Sequence, residues 1–406
     1  MSALLSLVLS AVAFAHARVE VGDGTVLENA TVVIEKDRVV SVGQGPAPAG
    51  ATVIDGTGKT LTPGFIDAAS PLGLVEIDLE PSSVDDSLSG AVLVPGFRVV
   101  DGFNPLTVRI PSAREEGVTS AVLAPNGGVL SGLGHWVSLT GTLDSMPDAK
   151  KPTAMFGDVG NGGVDSAGGA RGGLWLKLRE ALSDARWYAK NKAAVEQNRS
   201  RALSLSPLHL EALQPVLEGK LPLVLNAHRA ADIVQALRFA SEEKVRLVIV
   251  GGSEAWLVAD ELKRASVPVL LVPSELVPGS FEQLRTRDDV ATKLEKAGVR
   301  VGIACSDRSR RRLRQEAGIA VSYGLPRAKA LEAITLAPAT ALGLEKDVGS
   351  LERGKRADLV LWSGDPLELS SFAEKVFIGG VEQPLGTRQS RLVERYLERV
   401  KAAPKK

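Results

Sequence analysis

The middle of this 406-residue chain alternates short apolar runs with segments of helical periodicity. A run that is apolar throughout is typical of a strand buried on both faces, and alternation with helices favours a parallel sheet. The alternating segments are residues 221–225, 231–242, 245–250, 254–264, 267–272, 280–297 and 299–304. The sequence therefore predicts an α/β fold whose strands are connected by helices on the outside of the sheet.

Both ends of the chain, in contrast, contain short β-rich runs separated by turn residues. Residues 31–34 and 38–42 are rich in Val, Ile and Thr, and Val21-Gly22-Asp23-Gly24 precedes them as a turn. Similar runs return at residues 358–362 and 376–378, where Gly379-Gly380 follows. Such patterns are typical of hairpins, so we expect a small β structure at each end.

The N-terminal residues Met1–Ala17 form an apolar run that ends in Ala15-His16-Ala17. This ending fits the small-x-small rule for signal cleavage, although no Lys or Arg precedes the apolar stretch. The run is shorter than the roughly 20 residues that a membrane span requires. We therefore predict a signal peptide over residues 1–17, a periplasmic or secreted protein and no transmembrane segment, and leave open whether Met1 is the true start.

Composition excludes some classes of partner. Lys plus Arg and Asp plus Glu number 48 each, so the charges balance and nucleic acid is not an expected partner. The single cysteine, Cys305, permits no internal disulfide and lies in an apolar run, which favours a buried core thiol over a nucleophile.

The region after the first third of the chain contains one glycine-rich segment and one long periodic segment. Residues 157–173 include eight glycines, which predicts a mobile loop. Leu174, Leu178 and Leu182 then recur every four residues, which predicts a long surface helix packed through one face. Residues 391–400 show a shorter amphipathic pattern near the C-terminus.

Several motifs together resemble one family. The segment Thr62–Gly73 (TPGFIDAASPLG), the Gly117-Val118-Thr119 strand entry and Asn226-Ala227-His228 are similar to strands of the metal-dependent amidohydrolases. The endings ALEAITLAPATAL (residues 330–342) and VGSLERGKRADLVLW (residues 348–362) resemble the imidazolonepropionase-like branch of that superfamily. Because these motifs are spread from residue 62 to residue 362, the resemblance covers nearly the whole chain.

The resemblance implies a particular architecture. Residues 63–344 would form an amidohydrolase-type (β/α)₈ TIM barrel, with chemistry at the C-terminal ends of its strands. Residues 18–62 and 345–385 would pair into one small, discontinuous β-sandwich. Residues 386–406 would add a C-terminal helix and tail.

The same resemblance exposes what the chain lacks. The family pattern in the first barrel strand is P-G-[FL]-I-D-A-H-x-H-x-G, and this chain has Ala69 and Pro71 in place of the two metal-binding histidines. The histidine expected one strand after His228 is also missing, because Gly251 and Gly252 are found there. His228 and Asp307 remain as candidate metal ligands, and the family implies that Asp307 is also the general base.

Other polar residues have a functional and a structural interpretation. His135 and Arg308 are candidate substrate-binding residues at the barrel mouth. For His135, a position in a surface loop without a functional role is the simpler interpretation. Five arginines follow Asp307 within seven residues and predict either an anion-binding rim or a solvated helix start. His209 is predicted to be structural. Replacement metal ligands could come from the acids Glu76, Asp78 and Glu254.

Two functional hypotheses follow. In the first, the protein hydrolyses C–N bonds of a small cyclic or non-peptide amide, with Asp307 as base and zinc or another divalent metal bound by a reduced site that includes His228. In the second, it is a catalytically inactive relative that needs no cofactor and acts as a binding or assembly protein of the cell envelope. The sequence leaves the substrate and the oligomeric state open, and a homo-oligomer is compatible with both hypotheses.

Overall fold

The computed structural model describes residues 11–305 and 313–402, without the side chains of residues 398–400 and 402. Its strands form two sheets. The strands are β1 (Val12–Glu20), β2 (Val26–Glu35), β3 (Arg38–Gly43), β4 (Thr52–Asp55), β5 (Thr60–Pro63), β6 (Phe65–Ser70), β7 (Val118–Leu123), β8 (Leu130–Ser138), β9 (Ala154–Asp158), β10 (Leu223–Ala227), β11 (Leu247–Gly251), β12 (Val269–Leu271), β13 (Val301–Ile303), β14 (Leu359–Trp362), β15 (Ala373–Ile378) and β16 (Val381–Gln383).

The α-helices of the described part lie mainly between the later strands. They are α1 (Arg109–Glu115), α2 (Asn161–Ser166), α3 (Arg171–Glu196), α4 (Pro207–Ala212), α5 (Gln214–Leu217), α6 (Ala230–Glu243), α7 (Ala259–Arg264), α8 (Val290–Ala297), α9 (Leu313–Ser322), α10 (Arg327–Glu332), α11 (Leu336–Leu342) and α12 (Arg388–Ala402). None of these helices is long and apolar enough to cross a membrane.

One sheet, in the order β13-β12-β11-β10-β9-β8-β7-β6, curls into a nearly closed barrel. The gap between its two edges is bridged by the backbone after α10, because Ile303 N–H donates to Ala333 O (2.7 Å) and Ile66 N–H donates to Ile334 O (2.9 Å). Apolar side chains from successive strands fill the lumen, as in other barrels of this kind. They include Ala68, Val122, Phe156, Val224, Val248 and Leu270. The predicted barrel class is confirmed.

The barrel departs from strict strand–helix alternation at β8, which runs antiparallel to both β7 and β9. Only residues 124–129 connect β7 to β8. A parallel crossover needs a connection of about a dozen residues or more, so this short link can only make a hairpin.

The other sheet contains strands from both ends of the chain, in the order β16-β15-β14-β5-β1-β2-β3, with β4 also paired to β1. β5 and β14 pair antiparallel, with Leu61 opposite Leu361. The indole N–H of Trp362 donates to Thr62 Oγ1 (3.0 Å) across this pair. The N-terminal and C-terminal parts of the chain therefore form one sheet. The exact domain boundaries stay predictions.

Strand β1 overlaps the predicted signal peptide. It begins at Val12, and its first residues pair with β2 on one side and β4 on the other. Ala13, Phe14 and Ala17 are fully buried. Cleavage after Ala17 would remove the first six residues of β1, and the signal peptide over residues 1–17 stays a prediction. Export itself stays a prediction.

The glycine-rich segment predicted as a mobile loop contains the end of β9, helix α2 and the start of α3. Glycine is needed at position 163 because a Cβ there would lie 1.9 Å from the carbonyl oxygen of Asp158. Close packing of backbone therefore explains this glycine. The long helix is confirmed as α3, which buries Leu174, Leu178 and Leu182.

Candidate functional site

The C-terminal ends of the barrel strands surround a cavity of about 200 Å³, here called the mouth cavity. Its walls come from the six strands β6 to β11 or the residues just after them, with Asp86 from the loop after β6, and they mix apolar and polar side chains. The lining residues are Ala69, Pro71, Asp86, Ala124, Pro125, Asn126, Ser131, Phe156, Gly157, Asp158, Val224, Asn226 and Val250. Active sites of TIM barrels are found at this end of the barrel.

Ala69 and Pro71 both line the mouth cavity. The pairing of β6 with β7 shifts in register between Asp67 and Ser70, which marks an irregularity just before these positions. Neither side chain carries an atom that can bind a metal. The first barrel strand thus presents an apolar wall at the two positions where the family pattern has histidines.

His228 follows the end of β10 and is largely buried. Its Nδ1 lies 2.8 Å from Ser253 Oγ, and the side-chain amide of Gln283 lies 3.3 Å from both atoms. Burial lowers the pKa of His228 below its ordinary 6.5, and the nearby carboxylates of Glu282 and Glu275 only partly oppose this. The ring is therefore neutral at pH 7 and held by hydrogen bonds to side chains.

The position of the missing neighbouring histidine is occupied by other atoms. A Cβ built on Gly251 would lie 2.7 Å from Cε1 of His228 and 2.9 Å from Oδ1 of Asn226. Gly251 also has φ of +93°, a conformation that other L-residues rarely adopt. The His228 ring and the Asn226 amide converge over this glycine and leave no room for a side chain.

Asp158, at the end of β9, is a polar group of the mouth cavity that the sequence interpretation missed. Its Oδ1 accepts a hydrogen bond from the Gly160 amide (2.7 Å). Burial raises the pKa of Asp158 above its ordinary 3.8, and the Glu282 carboxylate adds to this, whereas hydrogen bonds from Gly160 and Asn226 partly oppose it. Asp158 alternates with Ala154 and Phe156 at period 2, which is typical of one face of a strand. The glycines that follow it favoured the prediction of a loop instead.

Glu282 is held next to Asp158 by the start of α2. Its Oε2 accepts a hydrogen bond from the Asn161 amide (2.8 Å) and lies 3.9 Å from the Arg171 guanidinium. Arg171 also bonds both oxygens of Asp232 at 2.9 Å. The positive charge of Arg171, at the start of α3, therefore stabilises the Glu282 carboxylate beside Asp158.

The structure places His135 differently from the prediction. It lies within β8, not in a loop, and is fully buried, and its Nε2 lies 3.2 Å from Ala149 O. Its neighbour Trp136 packs toward the barrel lumen, so His135 faces the opposite side of the sheet. This position does not expose the ring to a ligand in the mouth cavity.

The other predicted polar residues have structural partners or lie outside the described residues. His209 Nδ1 accepts a hydrogen bond from the Gly96 amide (3.0 Å). Glu254 accepts from the amides of Ala230 (3.0 Å) and Arg285 (3.1 Å). Cys305 is buried, as expected of a core thiol. Asp307 and Arg308 belong to residues 306–312, which the structure does not describe.

Glu76 and Asp78, the two other candidate replacement ligands, are also engaged elsewhere. The Thr107 hydroxyl donates to Glu76, and the Arg109 guanidinium lies 3.3 Å from Asp78. A catalytic zinc site uses three protein ligands plus water. Within residues 11–305 and 313–402, no three His, Cys, Asp or Glu side chains come together in a way that could hold a metal. The described residues do not fit the metal centre that the family implies.

The barrel, its mouth cavity and the sheet shared by both chain ends define an amidohydrolase-type protein. Residues 189–383 match the sequence model of the amidohydrolase family. A solved amidohydrolase from Thermotoga maritima MSB8 superposes with a TM-score of 0.84 at 29% identity, covering 93% of this chain and 100% of that chain. These similarities support the amidohydrolase superfamily and, within it, the imidazolonepropionase-like branch.

Two curated relatives extend this comparison. An imidazolonepropionase from Geobacillus kaustophilus is 25% identical over 392 residues, covering 85% of this chain and 86% of that protein. Amidohydrolase tasK from Hapsidospora irregularis is 23% identical over 392 residues, covering 87% of this chain. The match spans only 39% of the length of tasK.

Proposed function

We propose that this protein is a catalytically silent amidohydrolase relative that binds a small cyclic amide in its mouth cavity without a catalytic metal. The observation that carries the proposal is the placement of Ala69 and Pro71, which line the cavity and offer no metal ligand. Metal-assisted hydrolysis depends on a metal that lowers the pKa of its bound water to about 7. Among residues 11–305 and 313–402, too few ligands come together to hold such a metal.

The arrangement of His228 supports the same proposal. Its ring packs over Gly251 and is hydrogen-bonded to Ser253, so it takes part in a side-chain network of its own. Restoring a histidine at position 251 would require it to overlap this ring. A catalytic zinc centre needs three protein ligands, so His228 and Asp307 together would still leave one ligand missing.

The polar groups of the cavity suit an amide ligand. A cyclic amide offers a carbonyl acceptor and an N–H donor, and Asn226 can complement both. Burial favours the protonated form of Asp158, which can donate a hydrogen bond to a carbonyl oxygen. Phe156, Val224 and Val250 provide apolar surface for a ring. A volume of about 200 Å³ restricts the ligand to a small molecule.

One observation favours the alternative, a hydrolase that works without metal. A buried carboxyl group with a raised pKa is suited to general acid–base catalysis, and Asp158 is such a group. Hydrolysis by this route would depend on Asp158 and would be insensitive to chelators. These two properties distinguish metal-free hydrolysis from a catalytically inactive protein and from metal-dependent hydrolysis.

A binding and turnover experiment with hydantoin, succinimide and 2-pyrrolidone tests the proposal. Calorimetry measures binding, and NMR measures hydrolysis with zinc, with chelator and with neither. The variant Val250→Phe fills the cavity, and Val53→Phe adds the same side chain at an exposed position of β4. We expect saturable binding of at least one compound, weakened at least tenfold in Val250→Phe, unchanged in Val53→Phe, and no product.

Two results would overturn the proposal. Hydrolysis that depends on a metal, or that is lost in Asp158→Asn, would show that the protein is an enzyme. Absence of binding to all three compounds, with the protein folded by circular dichroism, would refute the cyclic amide as the ligand class.

A further inference from the structure

A second cavity lies at the opposite, N-terminal end of the barrel, away from the mouth. It has a volume of about 660 Å³ and is here called the basal cavity. Its walls come from β8, the loop of residues 139–153, the segments that precede β10 and β11, and the end of α11. Its polar lining includes Trp136, Ser138, Lys151, Thr153, Lys220, Arg246 and Arg356, together with Asp144 and Asp148. This end of a TIM barrel usually contributes to stability alone, so a large polar cavity there needs another explanation.

The walls of the basal cavity carry more positive than negative charge. Four cationic side chains, Lys151, Lys220, Arg246 and Arg356, line it against two carboxylates. The whole chain has 48 basic and 48 acidic residues, so this excess is local. A concave surface with an excess of one sign of charge attracts ligands of the opposite sign.

Arg246 is the cation with no partner. Among the described residues, its guanidinium makes no hydrogen bond or ion pair, whereas Lys220 pairs with Glu218 at 2.7 Å and Lys151 with Asp148 at 3.7 Å. Arg356 bonds Asp358 through Nε (3.0 Å) and donates to Ser138 Oγ through Nη2 (3.1 Å). Planar guanidinium groups bind carboxylate and phosphate oxygens well, and Arg246 has all of its donors available.

Trp136 lines the same cavity and carries a neutral donor without a partner in the described part of the chain. Its Nε1 is buried and has no acceptor among the described residues. Buried N–H groups are nearly always paired, so an acceptor atom in the cavity would complete this one. The Arg356 guanidinium lies 5.5 Å from the centroid of the Trp136 ring, which keeps the two groups together.

Hydrogen bonds fix the loop that forms one wall. The Thr153 amide donates to Gly134 O (2.8 Å), and the Trp136 amide donates to Thr153 Oγ1 (2.8 Å). His135 Nε2 lies 3.2 Å from Ala149 O in the same loop. The buried His135, excluded from the mouth cavity, therefore positions the wall of the basal cavity.

From these contacts we propose that the basal cavity binds a small anion through carboxylate or phosphate oxygens, with Arg246 and the indole N–H of Trp136 as donors. The site is separate from the mouth cavity and does not depend on the function proposed for it. A free phosphate and an organic carboxylate share the required oxygen acceptors, so the experiment distinguishes them.

The test is calorimetric titration of the full chain with inorganic phosphate and, separately, with succinate, at constant ionic strength set by sodium chloride. Three variants probe the donors: Arg246→Ala removes the charge, Arg246→Lys keeps it without the planar group, and Trp136→Phe removes the N–H while keeping a ring. Arg238→Ala is the matched control, because Arg238 is exposed on α6 and does not line the cavity.

We expect saturable binding of one or both anions, weakened roughly ten- to hundredfold in Arg246→Ala, because a charge-assisted hydrogen bond is lost. Trp136→Phe should weaken binding several-fold, and Arg238→Ala should leave it unchanged. The proposal is overturned if neither anion binds saturably, or if Arg238→Ala weakens binding as much as Arg246→Ala, since that would indicate general screening by surface charge. Thermal unfolding of each variant confirms that it is folded.

Discussion

At the scale of single residues, hydrogen bonds between side chains and backbone hold the polar groups at the mouth of this barrel in place. Asp158 accepts from the Gly160 amide, and Glu282 from the next amide along the chain. His228 is neutral because burial lowers its pKa. Each group has a stable partner within the protein, which is consistent with a binding cavity.

Asp158→Asn should make the protein more stable at pH 7. The folded-state pKa of Asp158 is raised, so the folded protein binds this proton more tightly than the unfolded chain, and stability falls as pH rises from about 3.8 through the folded-state value. The amide is neutral and removes this loss. We expect a gain in stability at pH 7 that shrinks toward pH 4, because the penalty grows only as the carboxyl group ionises in the unfolded chain.

Urea unfolding at several pH values from 4 to 8 measures this difference. Asp260→Asn, at an exposed position of α7, is the control and should show no such trend. Equal stability of Asp158→Asn and wild type across the whole pH range would contradict the account of Asp158.

At the scale of elements, the first strand decides whether the N-terminal part of the chain can fold. β1 has a neighbour on both sides, β2 and either β4 or β5. A protein produced without residues 1–17 loses the first six residues of β1 and should be insoluble or lack a cooperative unfolding transition. A protein without residues 1–10 keeps the strand and should fold, as circular dichroism and size-exclusion chromatography would show. Cooperative folding of the protein that lacks residues 1–17 would show that the first six residues of β1 are not needed for folding.

The elements show which features a sequence can predict. The strands β10 to β13 coincide closely with predicted apolar runs, because a strand buried on both faces has a distinctive composition. At β1 the same composition fits both a buried strand and the apolar part of a signal peptide, so composition alone does not separate the two. The direction of β8 depends on the length of its connection, which apolar periodicity alone does not reveal.

The candidate site was less predictable than the fold. The absence of histidines at positions 69 and 71 is readable directly from the sequence, and the structure adds that both positions line the mouth cavity. Asp158 and Glu282 are 124 positions apart and meet only through the packing of β9, α2 and the loop before α8. Side chains brought together by tertiary packing leave no local pattern.

At the scale of the whole molecule, one arginine links the barrel to the shared sheet. Arg327, at the start of α10, donates to Glu20 of β1 (2.8 Å) and makes two bonds to Asp365 (2.6 and 2.7 Å). Glu20 is only 2% exposed, so removal of the arginine leaves a buried carboxylate with Arg18 as its remaining partner.

Arg327→Met should therefore destabilise the protein by roughly 2–3 kcal/mol, because a buried charge loses a partner. The decrease should appear as a lower midpoint of urea unfolding. Arg238→Met, on the exposed surface of α6, serves as the control and should change the midpoint little. A midpoint for Arg327→Met equal to that of wild type would show that the link contributes nothing to stability.

The central claim, that the family's metal centre has been lost from the mouth, is tested most directly by the metal content of the purified protein. The measurement is inductively coupled plasma mass spectrometry on the full chain, purified without chelator, then incubated with zinc and dialysed, alongside His228→Ala. The account predicts much less than one zinc, manganese or iron per chain, with no difference between the two proteins. Close to one metal per chain in the wild type, lost in His228→Ala, would contradict it.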